Sequence, residues 1–183
     1  QVSTAHSPRG RWEHQPPYPA FAVSVPIRLG PPATAHWSQQ GGFDVSPSRD
    51  RLITLVEDLS PAAVNPVLVH SFSGFMDAGS SAQLAVNHLL DNCDERIVAT
   101  FDSDELIDYR ARRPKMIFDR NRFINADMPR ITLREVLDDR GTPFLLLSGP
   151  EPDYRWNEFL GSVRWLVREL NVGLSVGLVG IPW

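Results

Sequence analysis

Residues 67–72, Val-Leu-Val-His-Ser-Phe, form a short and nearly continuous apolar run directly after Pro66. A run of that length without a polar face predicts a buried strand. Farther on, Ala82, Ala85, Val86, Leu89, Leu90 and Cys93 recur at i, i+3, i+4, i+7, i+8 and i+11. That spacing gathers them on one stripe of an amphipathic helix over residues 80–92. Ile97-Val98-Ala99-Thr100-Phe101 is apolar and β-branched, and predicts the next strand. Strand, helix and strand in this order make a βαβ unit, whose parallel strands are joined right-handedly.

Residues 102–109 read as a short helix or turn ending before Pro114, and residues 116–118 as a short strand. The turn signal Asp138-Asp139-Arg140-Gly141 separates two apolar segments, residues 131–137 and 143–148, which predicts an antiparallel hairpin. A second helix follows, with Trp156, Phe159, Leu160, Val163, Val167 and Leu170 as its buried stripe and Arg155, Glu158, Arg164 and Arg168 largely off it. Asp153 is placed to cap its start and Gly173 its end. Residues 172–181 read as a final strand, weakened by Gly173 and Gly177. A parallel strand ordinarily feeds a crossover element, so the stop at Trp183 reads as C-terminal truncation, and the first residue, Gln1, suggests a missing natural start.

The pattern breaks near residue 50. Residues 1–48 are rich in Pro, Gly, Ser and His, with Pro16, Pro17 and Pro19 crowding one stretch and Pro31 and Pro32 another. Proline removes amide donors and disfavours helix before it. We therefore divide the chain into a Pro/Gly-rich tail or arm, residues 1–49, and an α/β domain, residues 50–183. The alternative for residues 22–27 is a strand that adds to a sheet edge.

Composition narrows the function classes. The 183 residues are 42% hydrophobic and 22% charged, with a net charge of −4 and an isoelectric point near 5.7. A nucleic-acid or anionic-membrane surface needs a basic excess, which is missing. One cysteine, Cys93, excludes an internal disulfide and fits a reducing compartment. No apolar run reaches the roughly 20 residues that span a bilayer, and the N-terminus carries no secretory signal pattern. The expected location is cytoplasmic.

Four segments carry candidate chemistry. Gly74-Phe75-Met76-Asp77-Ala78-Gly79-Ser80-Ser81 has glycine at both positions of a phosphate-binding loop, but Ser80 stands where the loop's lysine belongs. Asp77 adds negative charge where phosphate oxygens would sit, so a strand-to-helix turn is the preferred reading. No G-x-G-x-x-G pattern is present, and no nucleotide or other cofactor is expected. Ser73 follows a strand as a hydrolase nucleophile does, yet the G-x-S-x-G elbow is absent. His70 and His88, the histidines of the regular half, read as structural.

Residues 102–114 are the densest charge cluster, with Asp102, Asp104, Glu105 and Asp108 preceding Arg110, Arg112 and Arg113. Such a segment at the carboxyl end of a strand can form a metal or substrate site. Its calcium-loop resemblance fails at Ile107, where glycine is required, and no metal is expected. The structural reading has Asp102 and Glu105 as a capping box and Asp108 paired with Arg112. The loop of residues 148–153 leaves a strand and enters the second helix, with Glu151 able to face a pocket. Its two prolines also simply set the chain's direction.

The spacing of four blocks resembles the proteasome assembly chaperone 2 family, most closely its actinobacterial branch. They are His70-x-x-x-Gly74-Phe75-x-Asp77-Ala78-Gly79; Phe101-Asp102-x-Asp104-Glu105-Leu106-x-Asp108-Tyr109-Arg110-x-Arg112-Arg113-Pro114; Thr142 through Leu147 followed by Gly149-Pro150-Glu151-Pro152-Asp153; and Val176-Gly177-Leu178-x-Gly180-Ile181-Pro182. The resemblance implies a three-layer α/β/α domain with a mixed, mostly parallel sheet, similar to the phosphorylase/hydrolase-like fold and often assembling as a homo-oligomer. It implies partners among proteins, since eukaryotic and archaeal relatives bind proteasome α-subunits. Some bacterial relatives carry an ATP-dependent carboxylate-amine ligase label, which the missing lysine loop does not support.

The expectation is therefore a protein-interaction or assembly factor without a complete catalytic set. The alternative is a hydrolase-like or ligase-like enzyme with a pocket at the strand ends. Either way, the candidate pocket or interface is Gly74, Phe75, Asp77, Gly79, Asp104, Glu105, Asp108, Arg110, Arg112, Arg113, Gly149 and Glu151. These residues all lie on connectors that follow strands.

Overall fold

The apolar run at residues 143–150 becomes a strand buried on both faces, and that placement organises the molecule. Leu145 and Leu147 pack on one side against Phe159 and Leu166. Leu146 points the other way, against Val86 and Val136. Each of these leucines is at most 2% exposed, and burying one contributes about 1.5–3 kcal/mol. With one helix stripe on each face of a sheet, the result is a three-layer α/β/α arrangement.

The computed structural model describes residues 52–181 and, as backbone, strand β1 (Phe21–Arg28). In chain order there follow β2 (Ile53–Leu55), β3 (Val67–Ser73), α1 (Ser81–Asn92), β4 (Glu95–Phe101), α2 (Ser103–Leu106), β5 (Lys115–Asp119), β6 (Arg122–Asp127), β7 (Thr132–Leu137), β8 (Pro143–Pro150), α3 (Trp156–Glu169) and β9 (Leu174–Ile181). The strand alternative for residues 22–27 corresponds to β1, which pairs antiparallel with β9. The rest of the proposed tail, and Pro182 and Trp183 at the other end, lie outside the described residues.

The main sheet runs β1-β9-β3-β8-β7-β4-β2, and β5 and β6 form a separate two-stranded ribbon. β3 is parallel to both β8 and β9, and the remaining pairs in the main sheet are antiparallel. Four of the seven strands, β9, β3, β8 and β4, consequently point the same way. The sequence had suggested β3 and β4 as neighbours in a βαβ unit. They share a direction, but the predicted β7–β8 hairpin lies between them. Sequence proximity is cheaper for β7 and β8, which are joined by a tight turn, and that pair then enters the sheet as a unit.

Several local expectations need correction. Ala85 is exposed, so the α1 stripe narrows to Ala82 and Val86, with Leu89 and Leu90 partly covered. On α3 the fully buried residues are Phe159 and Leu166, whereas Trp156 and Leu160 face outward. Arg155, not Asp153, holds the N-cap position of α3, at φ 54° and without a side-chain cap bond. Beyond its other end, Asn171 takes the left-handed turn (φ 49°) expected of Gly173. Gly173 instead donates its amide to the Pro66 carbonyl at 3.1 Å. The short strand at residues 116–118 is part of the longer β5, paired with β6, which the sequence pattern did not reveal.

α3 is anchored under one end of the sheet through Phe159. Its ring lies 5.6 Å from Phe72 of β3 and 5.1 Å from Phe101 of β4, in edge-on and tilted geometries favoured by aromatic pairs. Those two residues sit where β3 and β4 end, so the connectors leaving these strands are carried on a rigid base.

Candidate functional site

Because β3, β4 and β8 point the same way, the connectors at their carboxyl ends emerge on one rim. Hydrogen bonds tie the connectors to one another. The Glu151 amide donates to the Ser73 carbonyl at 3.0 Å, and Asp153 and Tyr154 amides donate to the Leu106 carbonyl at 2.8 and 3.1 Å. Asp108 donates its amide to Asp153 Oδ2 at 2.8 Å. A side chain at Gly74 would meet the Glu151 carboxylate at 2.5 Å, so the two connectors approach closely here and a substitution would displace the Glu151 side chain.

Charge is matched locally. Arg112 pairs with Asp153 at 3.1 Å and donates to the Glu151 carbonyl. Arg155 bridges Glu105 and Glu158, which raises its pKa, with the Glu158 bond the leading cause. Asp108 pairs with Arg110 at 3.4 Å, not with Arg112 as the helical spacing suggested. The Arg112 amide does donate to the Asp108 carbonyl at 2.9 Å, a single turn beyond α2, but its guanidinium is held by Asp153 and the Glu151 carbonyl. The Arg110 amide, first among the causes, holds the Asp108 carboxyl below its usual range. Tyr109 donates its hydroxyl to Asp104 at 2.6 Å. Burial, reinforced by that bond and by the Asp104 and Asp102 charges, lifts the phenol to about 12.

The capping box forms in half. Asp102 accepts from the amides of Asp104 and Glu105, while the Glu105 side chain turns away to Arg155. On the neighbouring connector Asp77 is the organising residue. Its two carboxylate oxygens accept the Ala82 amide at 2.8 Å and the Gln83 amide at 2.9 Å. These are first-turn donors of α1, where an anion would bind. The protein's own carboxylate therefore occupies the position that a phosphate would need. Gly79 supplies a left-handed turn at φ 67° just before the helix.

Of the twelve candidate residues, Gly74, Glu105, Asp108, Arg112 and Glu151 belong to this bonded rim. Gly149 ends β8 beside it, and Asp77 lies behind it at the foot of α1. Asp104 contributes through Tyr109, Arg110 through Asp108 and Tyr154, and among the described residues Arg113 and Gly79 are exposed without a bonded role at the rim. Phe75 is 92% exposed. Sequence reasoning missed Asp153, which is the acceptor joining two connectors, and Arg155. Asp153 was read as a helix cap because it precedes an apolar stripe. Its proximity to the basic end of residues 102–113 was the signal available.

The remaining chemistry is quiet. The Ser73 hydroxyl donates to the Gly149 carbonyl at 3.5 Å. The His70 ring packs where a side chain on Gly177 would stand, and burial lowers its pKa. His88 is on the exposed side of α1, 3.2 Å from the Asn92 amide. Among the described residues there is no group of His, Cys, Asp and Glu able to hold a metal ion. Among them no helix is long and apolar enough to cross a membrane.

A model of the PAC2 family matches residues 71–183. The fold is similar to a solved Mycobacterium tuberculosis protein of unknown function, with 42% identity and a TM-score of 0.64 over 69% of this chain and 45% of that one. It is similar to a Corynebacterium glutamicum protein of unknown function, with 39% identity and a TM-score of 0.63 over 67% of this chain and 47% of that one. A Mycobacterium tuberculosis proteasome-assembly chaperone homologue shares 26% identity and a TM-score of 0.54 over 58% of this chain and 45% of its own. The matched region spans less than half the length of each of these structures. No curated protein matches the chain.

Proposed function

The chain belongs to the PAC2 family, and from that premise we propose that it is a protein-interaction or assembly factor whose partners are proteasome-type subunits. Its contact surface is the rim built by residues 74–80, 102–113 and 149–156. The observation that carries this reading is the company of exposed apolar side chains around a rim most of whose charges are matched internally. Phe75 and Met76 on the connector after β3, and Tyr154 and Trp156 where the chain enters α3, are all exposed. Trp, Tyr, Phe, Met and Arg are the residues that enrich protein interfaces, and paired charges lower the cost of drying such a surface. The similarity to a proteasome-assembly chaperone homologue supports the partner class. This reading puts the protein in the cytoplasm and has it assemble as a homo-oligomer, with residues 1–49 as an arm.

The enzyme alternative draws less support. Asp77 blocks the helix amides, and the hydroxyl of Ser73 is bonded to a carbonyl, with no histidine bonded to it among the described residues. The test is association with purified proteasome α-subunits, followed by size-exclusion chromatography and titration. The protein should co-elute, and Phe75→Asp or Trp156→Ala should each weaken binding roughly tenfold or more, about 1.4 kcal/mol. Leu84→Asp, on the exposed face of α1, should leave affinity unchanged. Failure to associate, or parental affinity in both rim variants, would overturn the proposal.

A further inference from the structure

A groove of about 920 Å³ opens between the β5–β6 ribbon, the first turn of α1 and the ends of β3 and β8. Its walls carry three cations, Lys115, Arg130 and Arg134, against one carboxylate, Asp127. Arg134 is only 19% exposed and its charge is matched, since Nε lies 3.1 Å from Glu95 and the guanidinium donates to the Thr132 hydroxyl. Asp127 is opposite Lys115 in the ribbon register. Arg130 has no ion pair or side-chain hydrogen bond among the described residues. The groove therefore holds an excess of positive charge in a protein whose net charge is −4.

Arg130 is positioned by the fold. A side chain on Gly149 would stand 2.5 Å from the Arg130 carbonyl oxygen and 2.7 Å from Ile131 Cα, and Gly149 has φ 152°. The bare backbone of β8 thus seats the segment carrying Arg130 directly on the end of the sheet. The Ile131 carbonyl on the same segment accepts the Phe101 amide at 2.9 Å, which fixes it from the β4 side. Lys115 reaches the groove from the ribbon, and Gln83 and Asn125 add amide groups able to donate to oxygen.

We infer that this groove binds a small molecule bearing two or more anionic groups, with Arg130 and Lys115 as the recognising side chains. A guanidinium offers a planar fork that fits phosphate or carboxylate oxygens, and an ammonium adds a point charge. Its charge is confined to Lys115, Arg130 and Arg134, whereas a nucleic-acid track needs an extended basic stripe. The groove borders Gln83, Gly149 and Pro150, but its recognising cations, Arg130 and Lys115, belong neither to the helix amides that Asp77 fills nor to the rim, so it stands independently of the rim's role in protein contact.

The probes are pyrophosphate and citrate, titrated into the full chain at matched ionic strength with sodium chloride as the reference. Saturable binding in the millimolar range or tighter is expected, together with a rise in unfolding temperature. Arg130→Gln and Lys115→Gln should each weaken it roughly tenfold, with unchanged circular dichroism. Arg168→Gln, an exposed arginine on α3 outside the groove, should bind as the parent does. Preference for pyrophosphate points to phosphorylated ligands, and preference for citrate to polycarboxylates. If Arg130→Gln does not fold, Lys115→Gln carries the same test. Absence of saturable binding, parental affinity in the groove variants, or equal weakening by Arg168→Gln would overturn the assignment.

Discussion

Asp77 competes with any external anion for the start of α1, and it competes from within the chain. Two amides already bonded at 2.8 and 2.9 Å are held by a group at high effective concentration, which a free phosphate must displace. The helix dipole adds to the advantage of negative charge there. A different carboxylate, Glu135, supports the opposite end of the sheet. It is 3% exposed, accepts the Ser60 amide at 2.9 Å and pairs with Arg96 at 2.9 Å. Burial pushes its pKa up, but hydrogen bonds from Ser60 and the Arg96 charge together outweigh burial, leaving it below the ordinary 4.5. A carboxyl depressed in the folded state contributes stability above its unfolded value, and that stability is lost as pH falls through the folded one. Glu135→Gln should therefore cost about 1–3 kcal/mol at pH 7. It should also flatten the fall in stability below pH 4.5. Urea unfolding across pH 3–7 measures both, and a variant profile parallel to the parent's would refute the assignment.

At the scale of elements, the β5–β6 ribbon differs from everything around it. Met116, Ile117, Phe118, Phe123 and Ile124 are all at least half exposed, and the pairing shifts register between Ile117 and Phe118. Phe118 and Phe123 stack edge-on at 5.0 Å, mostly with each other. A two-stranded ribbon without a packed face is marginal in water. Its amides should exchange with deuterium roughly 100-fold faster than those of β7 and β8, as read by mass spectrometry of peptides covering residues 115–127. Equal protection in the two regions would show that the ribbon is held by contacts of core strength. The ribbon was also the least legible element. Arg122–Asp127 puts Phe123 and Ile124 side by side, so it lacks both the period of two and the continuous run that mark strands. Asp102 was legible as the cap of α2, whereas α3 was legible in position but not in its caps. Asp153 and Gly173 have the right chemistry for caps, but Asp153 is drawn to Arg112 and the Asp108 amide, and Gly173 to Pro66. Tertiary partners outbid local preference at both ends of α3.

For the whole molecule, direction was legible and order was not. Apolar runs at residues 67–72, 97–101 and 143–148 marked β3, β4 and β8, and those strands do point one way, which is enough to send their connectors to a common rim. The insertion of β8 and β7 between β3 and β4 depends on contacts distant in sequence, which no local pattern records. The groove was invisible for the same reason, since Lys115, Arg130 and Arg134 meet only once the ribbon and sheet are assembled. The outermost strand at one edge poses the last question. β1 pairs with β9 along eight residues, from Phe21↔Ile181 to Arg28↔Leu174. Without β1, the outer edge of β9 would present unpaired amides and carbonyls as a template for another chain. Deleting residues 1–30 should therefore lower stability by more than about 2 kcal/mol, given roughly 0.5–1.5 kcal/mol net per lost bond. It should also drive concentration-dependent self-association, visible by light scattering. A shortened chain that remains as monodisperse and as stable as the full one would mean that this segment is a tail that the sheet does not require.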